Sequence, residues 1–122
     1  MLGELQACPC GEPISYDACC GRLHRGAEQA PTALALMRSR YAAYAVGDAE
    51  YVWRTWHPAT RPAEIELDDD LTWTDLTVHD SGEDWVEFTA SYLAASGAGA
   101  LHELSRFKVR AGRWFYLDGD LS

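Results

Sequence analysis

Apolar residues recur at three- and four-residue steps after Pro31-Thr32, at Leu34, Met37, Tyr41 and Tyr44. That period predicts an amphipathic helix. Gly47 stops it, and Asp48 is placed to cap a second helix carrying Val52, Trp53 and Trp56 on one side. Pro58 and Pro62 end helical structure and open a loop. From Ala63 onward the pattern changes to that of strands. Glu64 to Leu67 predicts a short strand, closed by the acidic turn Asp68-Asp69-Asp70. Leu71 to Asp80 alternates and is rich in Trp and Thr, and Trp85 to Ala94 alternates again through Val86, Phe88, Ala90 and Tyr92. Ser81-Gly82-Glu83 separates those two, and Ser96-Gly97-Ala98-Gly99 reads as the next turn. Leu101 to Val109 and Trp114 to Leu117 follow, joined at Ala111-Gly112. Helices followed by a strand meander predict an α+β fold, with helices packed on one curved antiparallel sheet.

Size and charge narrow this picture. At 122 residues the chain holds one main core. Lys plus Arg total 10 against 19 Asp plus Glu, a net charge of −9. That sign repels phosphate backbones and anionic lipid, so neither nucleic acid nor a membrane surface is an expected partner. No apolar run is long enough to span a bilayer. Met1 to Ala7 has neither the basic start nor the apolar stretch of a secretion signal, and the expected location is the cytoplasm.

The chemistry concentrates near the N-terminus. All four cysteines lie between Cys8 and Cys20, spaced Cys-x-Cys, then eight residues, then Cys-Cys. Disulfides suit this poorly, because a cytosolic chain is kept reduced and the cysteines staple nothing outside their own segment. The Cys-x-x-Cys spacing of a redox site is absent. A metal site fits: Cys8, Cys10, Cys19 and Cys20, gathered by a hairpin-like loop, form a closed tetrahedral thiolate shell suited to zinc, with iron as the alternative. Pro9, Gly11 and Pro13 favour a loop whose amides face the sulfurs, and Arg22 is a cation available to soften the site's charge. Asp17 and His24 lie close enough in sequence to enter the shell, but His24 reads as a solvated surface residue.

The stretch Cys8-Pro9-Cys10-Gly11, then Tyr16 and Cys19-Cys20-Gly21, resembles the SEC-C metal-binding motif at the tail of the bacterial preprotein translocase ATPase. Pro31-Thr32, Leu36 to Tyr41, Thr55-Trp56-His57-Pro58, Leu101 to Phe107 and Gly112-Arg113-Trp114 are similar to the YchJ family of small bacterial proteins. The resemblance implies a zinc knuckle over residues 1–26 and a nuclear-transport-factor-2-like, cystatin-like cone over residues 27–122. Two departures stand out. Glu12 and Pro13 replace the Ser-Gly usual after the first cysteine pair, sparing the ligands, and the second motif that many members carry after the cone is not seen.

A cone has a concave face that suits a small ligand. On the strand from Leu101, the residues Leu101, Glu103, Ser105, Phe107 and Val109 share the inward face, and His102 points outward, as does His79 on its own strand. An inward Glu103 needs a partner, with Arg38, Arg40 and Arg61 as candidates; it is either a general base or half of an ion pair anchoring helix to sheet. His57 is either a proton carrier beside the tryptophans or a residue complementing a helix C-terminus. Trp53, Trp56, Tyr92, Ser105 and Trp114 are the candidate pocket lining, although such aromatic sets also serve simply as core. Two functions follow. One is a non-enzymatic adaptor that docks onto a partner protein through the knuckle, as the SEC-C resemblance implies. The other is a small-molecule-binding or isomerase/dehydratase-like cone using His57 and Glu103. The residues favour the first, because no pair of inward titratable groups is unambiguous.

Overall fold

In the computed structural model, residues 6–122 are described; the first five residues of the 1–26 segment, and so most of the stretch read for a secretion signal, lie outside them. Three helices, α1 (Cys20–His24), α2 (Ala33–Val46) and α3 (Ala49–Arg54), precede four strands, β1 (Thr72–Ser81), β2 (Trp85–Ala94), β3 (Gly97–Arg110) and β4 (Arg113–Leu121). The strands form one antiparallel meander in the order β1-β2-β3-β4. The local signals act as expected around α2 and α3. Thr32 Oγ1 accepts from Ala35 N at 3.0 Å, and Asp48 Oδ1 accepts from Tyr51 N at 3.1 Å. Between the two helices Gly47 adopts φ +82°, a left-handed turn that glycine makes without steric cost.

α2 is not the one-sided amphipathic helix that its spacing predicts. None of its residues is exposed, and its buried positions lie all around the axis. Ala33, Leu36, Met37 and Tyr41 pack with Val86, Phe88, Ala90 and Phe107 of the sheet. Ala42 meets the cysteines, while Ala43 packs with Leu23, Tyr51 and Val52. The alanines let two more layers approach closely, so α2 is sandwiched rather than laid on a surface. A three-residue count of apolar side chains cannot reveal this, because alanine is counted weakly as hydrophobic.

Two further expectations are corrected. Glu64 to Leu67 forms no strand. Among the described residues no fifth strand lies beside β1, and Ile65 packs instead on the cluster around Leu23 and Val52. The turn placed at Ser96 to Gly99 is shorter, because Ala94 already pairs with Gly97 and β3 starts there. Register shifts between Trp73 and Asp75, between Val78 and Asp80, and between Arg106 and Phe107 bend the outer strands. The bend makes the sheet concave toward α2. The segment after α3 straps across β4, with His57 N donating to Tyr116 O at 2.7 Å and Tyr116 N to Thr55 O at 2.8 Å.

Candidate metal centre and cone cavity

The cysteine segment folds as a small hairpin that turns into α1. Cys8 N donates to Ile14 O at 3.0 Å and Tyr16 N to Gln6 O at 2.7 Å, which sets Cys8 and Cys10 on one arm. Gly21 follows Cys19-Cys20 for a steric reason: a Cβ there would sit 2.7 Å from Tyr16 O. This close approach brings the second pair onto the first. All four cysteines are free thiols, and their Sγ atoms lie within 4.8 Å of one another.

The donor set fits a tetrahedral ion. Zinc–sulfur bonds of about 2.3 Å place tetrahedral sulfurs about 3.8 Å apart. Cys10 Sγ lies 3.7 Å from Cys19 Sγ, and Cys19 Sγ lies 3.9 Å from Cys20 Sγ. The sulfurs also perturb one another as an uncompensated set would. Hydrogen bonds from the Cys10 and Cys20 thiols hold Cys8 far below the usual thiol range. Cys19 is pushed up to about 12 by burial and by the charges of Cys10 and Cys8. Four thiolates therefore need a cation to coexist. The backbone amides of Cys10 and Cys20 favour the Cys8 thiolate, and that of Glu12 favours the Cys10 thiolate.

The surroundings of the cluster differ from expectation in three residues. His24 is buried, not solvated. Its Nδ1 pairs with Tyr16 Oη at 2.6 Å and its Nε2 with Ser39 O at 2.8 Å, so it rivets α1 to α2. Burial lowers its pKa from the ordinary imidazole value. The cation beside the cluster is Arg38, whose Nη1 donates to Cys10 O at 2.7 Å; Arg22 pairs with Glu28. Asp17 pairs with Arg25 at the surface and stays out of the shell. The sequence singles out His24 as a candidate ligand and Arg38 as a candidate partner for Glu103, but spacing does not point them at Ser39 and Cys10.

Under α2 the curved sheet encloses a cavity of about 300 Å³. Its apolar wall includes Tyr41, Trp73, Phe88 and Phe107, and its polar groups come from Arg40, Glu103, Ser105 and Tyr116, with Trp56 beside them. Of the residues expected to line it, Trp56, Ser105 and Glu103 do so. Trp53, Tyr92, Trp114 and His57 do not. Trp53 is 37% exposed beneath the Arg61 guanidinium, which lies 4.0 Å from its ring. Tyr92 packs edge-on against Trp73, and Trp114 backs the core from β4. His57 Nδ1 accepts from Ala59 N at 3.0 Å, and its ring meets Phe115. It lies beyond the end of α3 and neither reaches the cavity nor bonds a carbonyl of that helix.

Glu103 faces inward as expected, but it forms no ion pair with Arg38, Arg40 or Arg61. Its Oε2 accepts from Ser105 Oγ at 2.5 Å and from Tyr116 Oη at 3.1 Å. Tyr116 holds Glu103 and Arg40 apart, because its ring also receives the Arg40 guanidinium at 4.5 Å. The acid–base pair of Glu103 with His57 is therefore not assembled. Val109, placed inward by alternation, is 48% exposed because β3 runs past the helices. On the outer face, His102 pairs with Glu87 at 2.8 Å and His79 with Thr89 at 2.7 Å.

A helix-roofed antiparallel cone carrying a four-cysteine knuckle defines a nuclear-transport-factor-2-like protein with a SEC-C-type knuckle. Residues 32–119 match the family described as YchJ, middle NTF2-like domain. The chain belongs to this family, whose curated members are termed UPF0225 proteins. One from Streptomyces coelicolor is 49% identical over 93% of this chain and 94% of its own length, and one from Deinococcus radiodurans is 54% identical over 91% and 86%. Among solved structures, a SEC-C motif containing protein from Rhodopseudomonas palustris is 32% identical, with a TM-score of 0.83 over 96% of this chain and 99% of that one. Another from Psychrobacter arcticus is 30% identical, with a TM-score of 0.80 over 100% and 86%. Among the described residues no helix is long and apolar enough to cross a membrane.

Proposed function

We propose that the protein binds one zinc ion through Cys8, Cys10, Cys19 and Cys20, and that it works in the cytoplasm as a non-enzymatic adaptor docking onto a partner protein. The gathering of four Sγ atoms within 4.8 Å of one another, two pairs of them at tetrahedral spacing, carries the metal reading. A closed tetrahedral four-thiolate shell holds zinc or iron, and zinc is proposed because such closed shells are the usual structural zinc arrangement. The ion acts as a clip. Cys8, Cys10 and Cys20 are buried against Ala42, so closing the shell holds the knuckle on α2. The SEC-C likeness of the two solved neighbours supports the same reading.

Docking rests on the outside of the knuckle. Ile14 is 48% exposed beside Pro13, an apolar tip on a loop that the metal would hold rigid. The net charge of −9 suits a basic partner surface. Native mass spectrometry of protein purified without added metal or chelator tests the metal: one zinc per chain is expected, and an apo chain would refute it. Iron would replace zinc in the reading and would show a visible absorption band. For docking, Ile14→Asp should lose the partner that the wild-type protein captures while leaving zinc bound. Unchanged capture would remove the knuckle tip from the interface.

A further inference from the structure

The geometry points to the cone cavity as a binding site for a compact, apolar-bodied carboxylic acid, its carboxylate held by Arg40. This goes beyond the metal and docking reading and does not depend on it. Arg40 is the unusual group. It projects from the sandwiched helix α2 and is only 6% exposed, yet it has no carboxylate partner within 4.0 Å among the described residues. Its Nη1 donates to Val52 O at 2.8 Å and to Thr55 Oγ1 at 2.7 Å, both neutral acceptors. Its guanidinium faces the rings of Tyr116 and Trp56, at 4.5 and 5.3 Å. These contacts orient the fork without a carboxylate against it, and Glu103 acts on its charge only across the cavity. Burial of such a cation is costly, and the cost appears as a lowered arginine pKa.

The obvious counter-ion is already engaged. Glu103 lies on the facing wall, but its Oε2 takes hydrogen bonds from Ser105 and Tyr116 rather than from Arg40. Nε and Nη2 of Arg40 have no hydrogen-bond partner among the described residues, and Arg40 lines the cavity. Two such nitrogens are the donor pair that binds a carboxylate bidentately. A buried indole N–H in the same wall reports on the site without facing the open space. The indole Nε1 of Trp56, another lining residue, is buried with no partner among the described residues. Opposite the Arg40 fork, Trp73, Phe88 and Phe107 supply an apolar surface for the rest of the ligand. At about 300 Å³ the space is at the small end for ligand sites and suits a body the size of one ring. The overall charge of −9 gives anions no general attraction to this protein, so a carboxylate that binds must do so through a local, desolvated contact.

The test uses the full-length protein as purified, labelled with nitrogen-15 and titrated with phenylacetate, cyclohexanecarboxylate and the neutral phenylacetamide. Saturable shifts of the Trp56 indole N–H and of the Tyr116 amide are expected from the two acids. The amide should bind at least about tenfold more weakly, the loss of a charge-assisted hydrogen bond. Raising the salt concentration should leave acid binding nearly unchanged, since a buried pair is weakly screened. Equal affinity for acid and amide would overturn the proposal, as would shifts confined to residues outside the cavity. Absence of saturation by either acid at about 10 mM would overturn it too. Arg40→Lys keeps the charge but removes the fork, and should weaken the acids by at least about tenfold. Should that variant fail to fold, the acid-against-amide comparison on the unaltered protein still decides the matter.

Discussion

Replacing Cys10 with serine isolates the contribution of the thiolate shell. Cys10 is fully buried, and its Sγ is 3.7 Å from that of Cys19. A serine hydroxyl is a poor zinc ligand and is smaller than a thiol. Apparent binding free energies of structural zinc are about 10–16 kcal/mol, so losing one ligand of four forfeits roughly 3 kcal/mol, or about a hundredfold in affinity. With zinc buffered above both dissociation constants, linkage transfers that loss to folding stability. For a chain of this size each kcal/mol corresponds to about 4 °C, giving a fall in Tm of about 12 °C. A buried hydroxyl without a partner adds to this. The assay is thermal unfolding in zinc-buffered solution, with zinc content measured on the same samples. A chelator should lower the Tm of both proteins, and that of the wild type by about 12 °C more. Asp17→Ala is the control: Asp17 pairs with Arg25 outside the shell, and this change should alter neither quantity. A Cys10→Ser protein that keeps one zinc at wild-type affinity and melts within about 3 °C of the wild type would refute the reasoning.

His24 links stability to pH at saturating zinc. Its folded pKa is lowered, chiefly by burial, so the unfolded chain takes up the proton first as pH falls below the ordinary 6.5. Its contribution is fully present above that value and is lost as pH falls through the folded pKa; denaturant unfolding at about pH 7 and about pH 5 should show this, with a shallower dependence in His24→Gln. Gly119→Ala reports on the cavity wall, because a Cβ there collides with Glu103 Oε2 and sits 3.0 Å from its Cγ. Breaking the Glu103 contacts with Ser105 and Tyr116 should cost about 1–3 kcal/mol and lower the Tm with zinc content unchanged; an unaltered Tm would show that this wall can yield freely.

Much of this protein was legible from residue order alone, wherever the deciding physics is local. Thr32 and Asp48 announce their helices because a cap needs only a side-chain oxygen and the amide three residues on. Strands β1 and β2 were readable because one face is covered and the other wet, which writes a two-residue period into the sequence. The cysteine cluster was readable because its four ligands fall within 13 residues, a span that a single hairpin can close. Glu103 could be placed on the inner face by the same alternation, but its partners could not be named.

Tertiary structure decided everything that depends on which surfaces meet. The wrapping of α2 on all sides follows from the knuckle and α3, its neighbours in the chain, folding back onto the faces the sheet leaves open, which turned its small residues into contact points. That packing buried His24 between Tyr16 and Ser39, against the expectation of a solvated residue. It also separated His57 from Glu103 and left Trp53 outside, since where α3 ends relative to β4 is a matter of three-dimensional docking. Arg40 became the charged group of the cavity for the same reason. A chain's order specifies which groups are available and their local geometry, whereas desolvation, which sets the cost and chemistry of a buried charge, depends on every neighbour that excludes water.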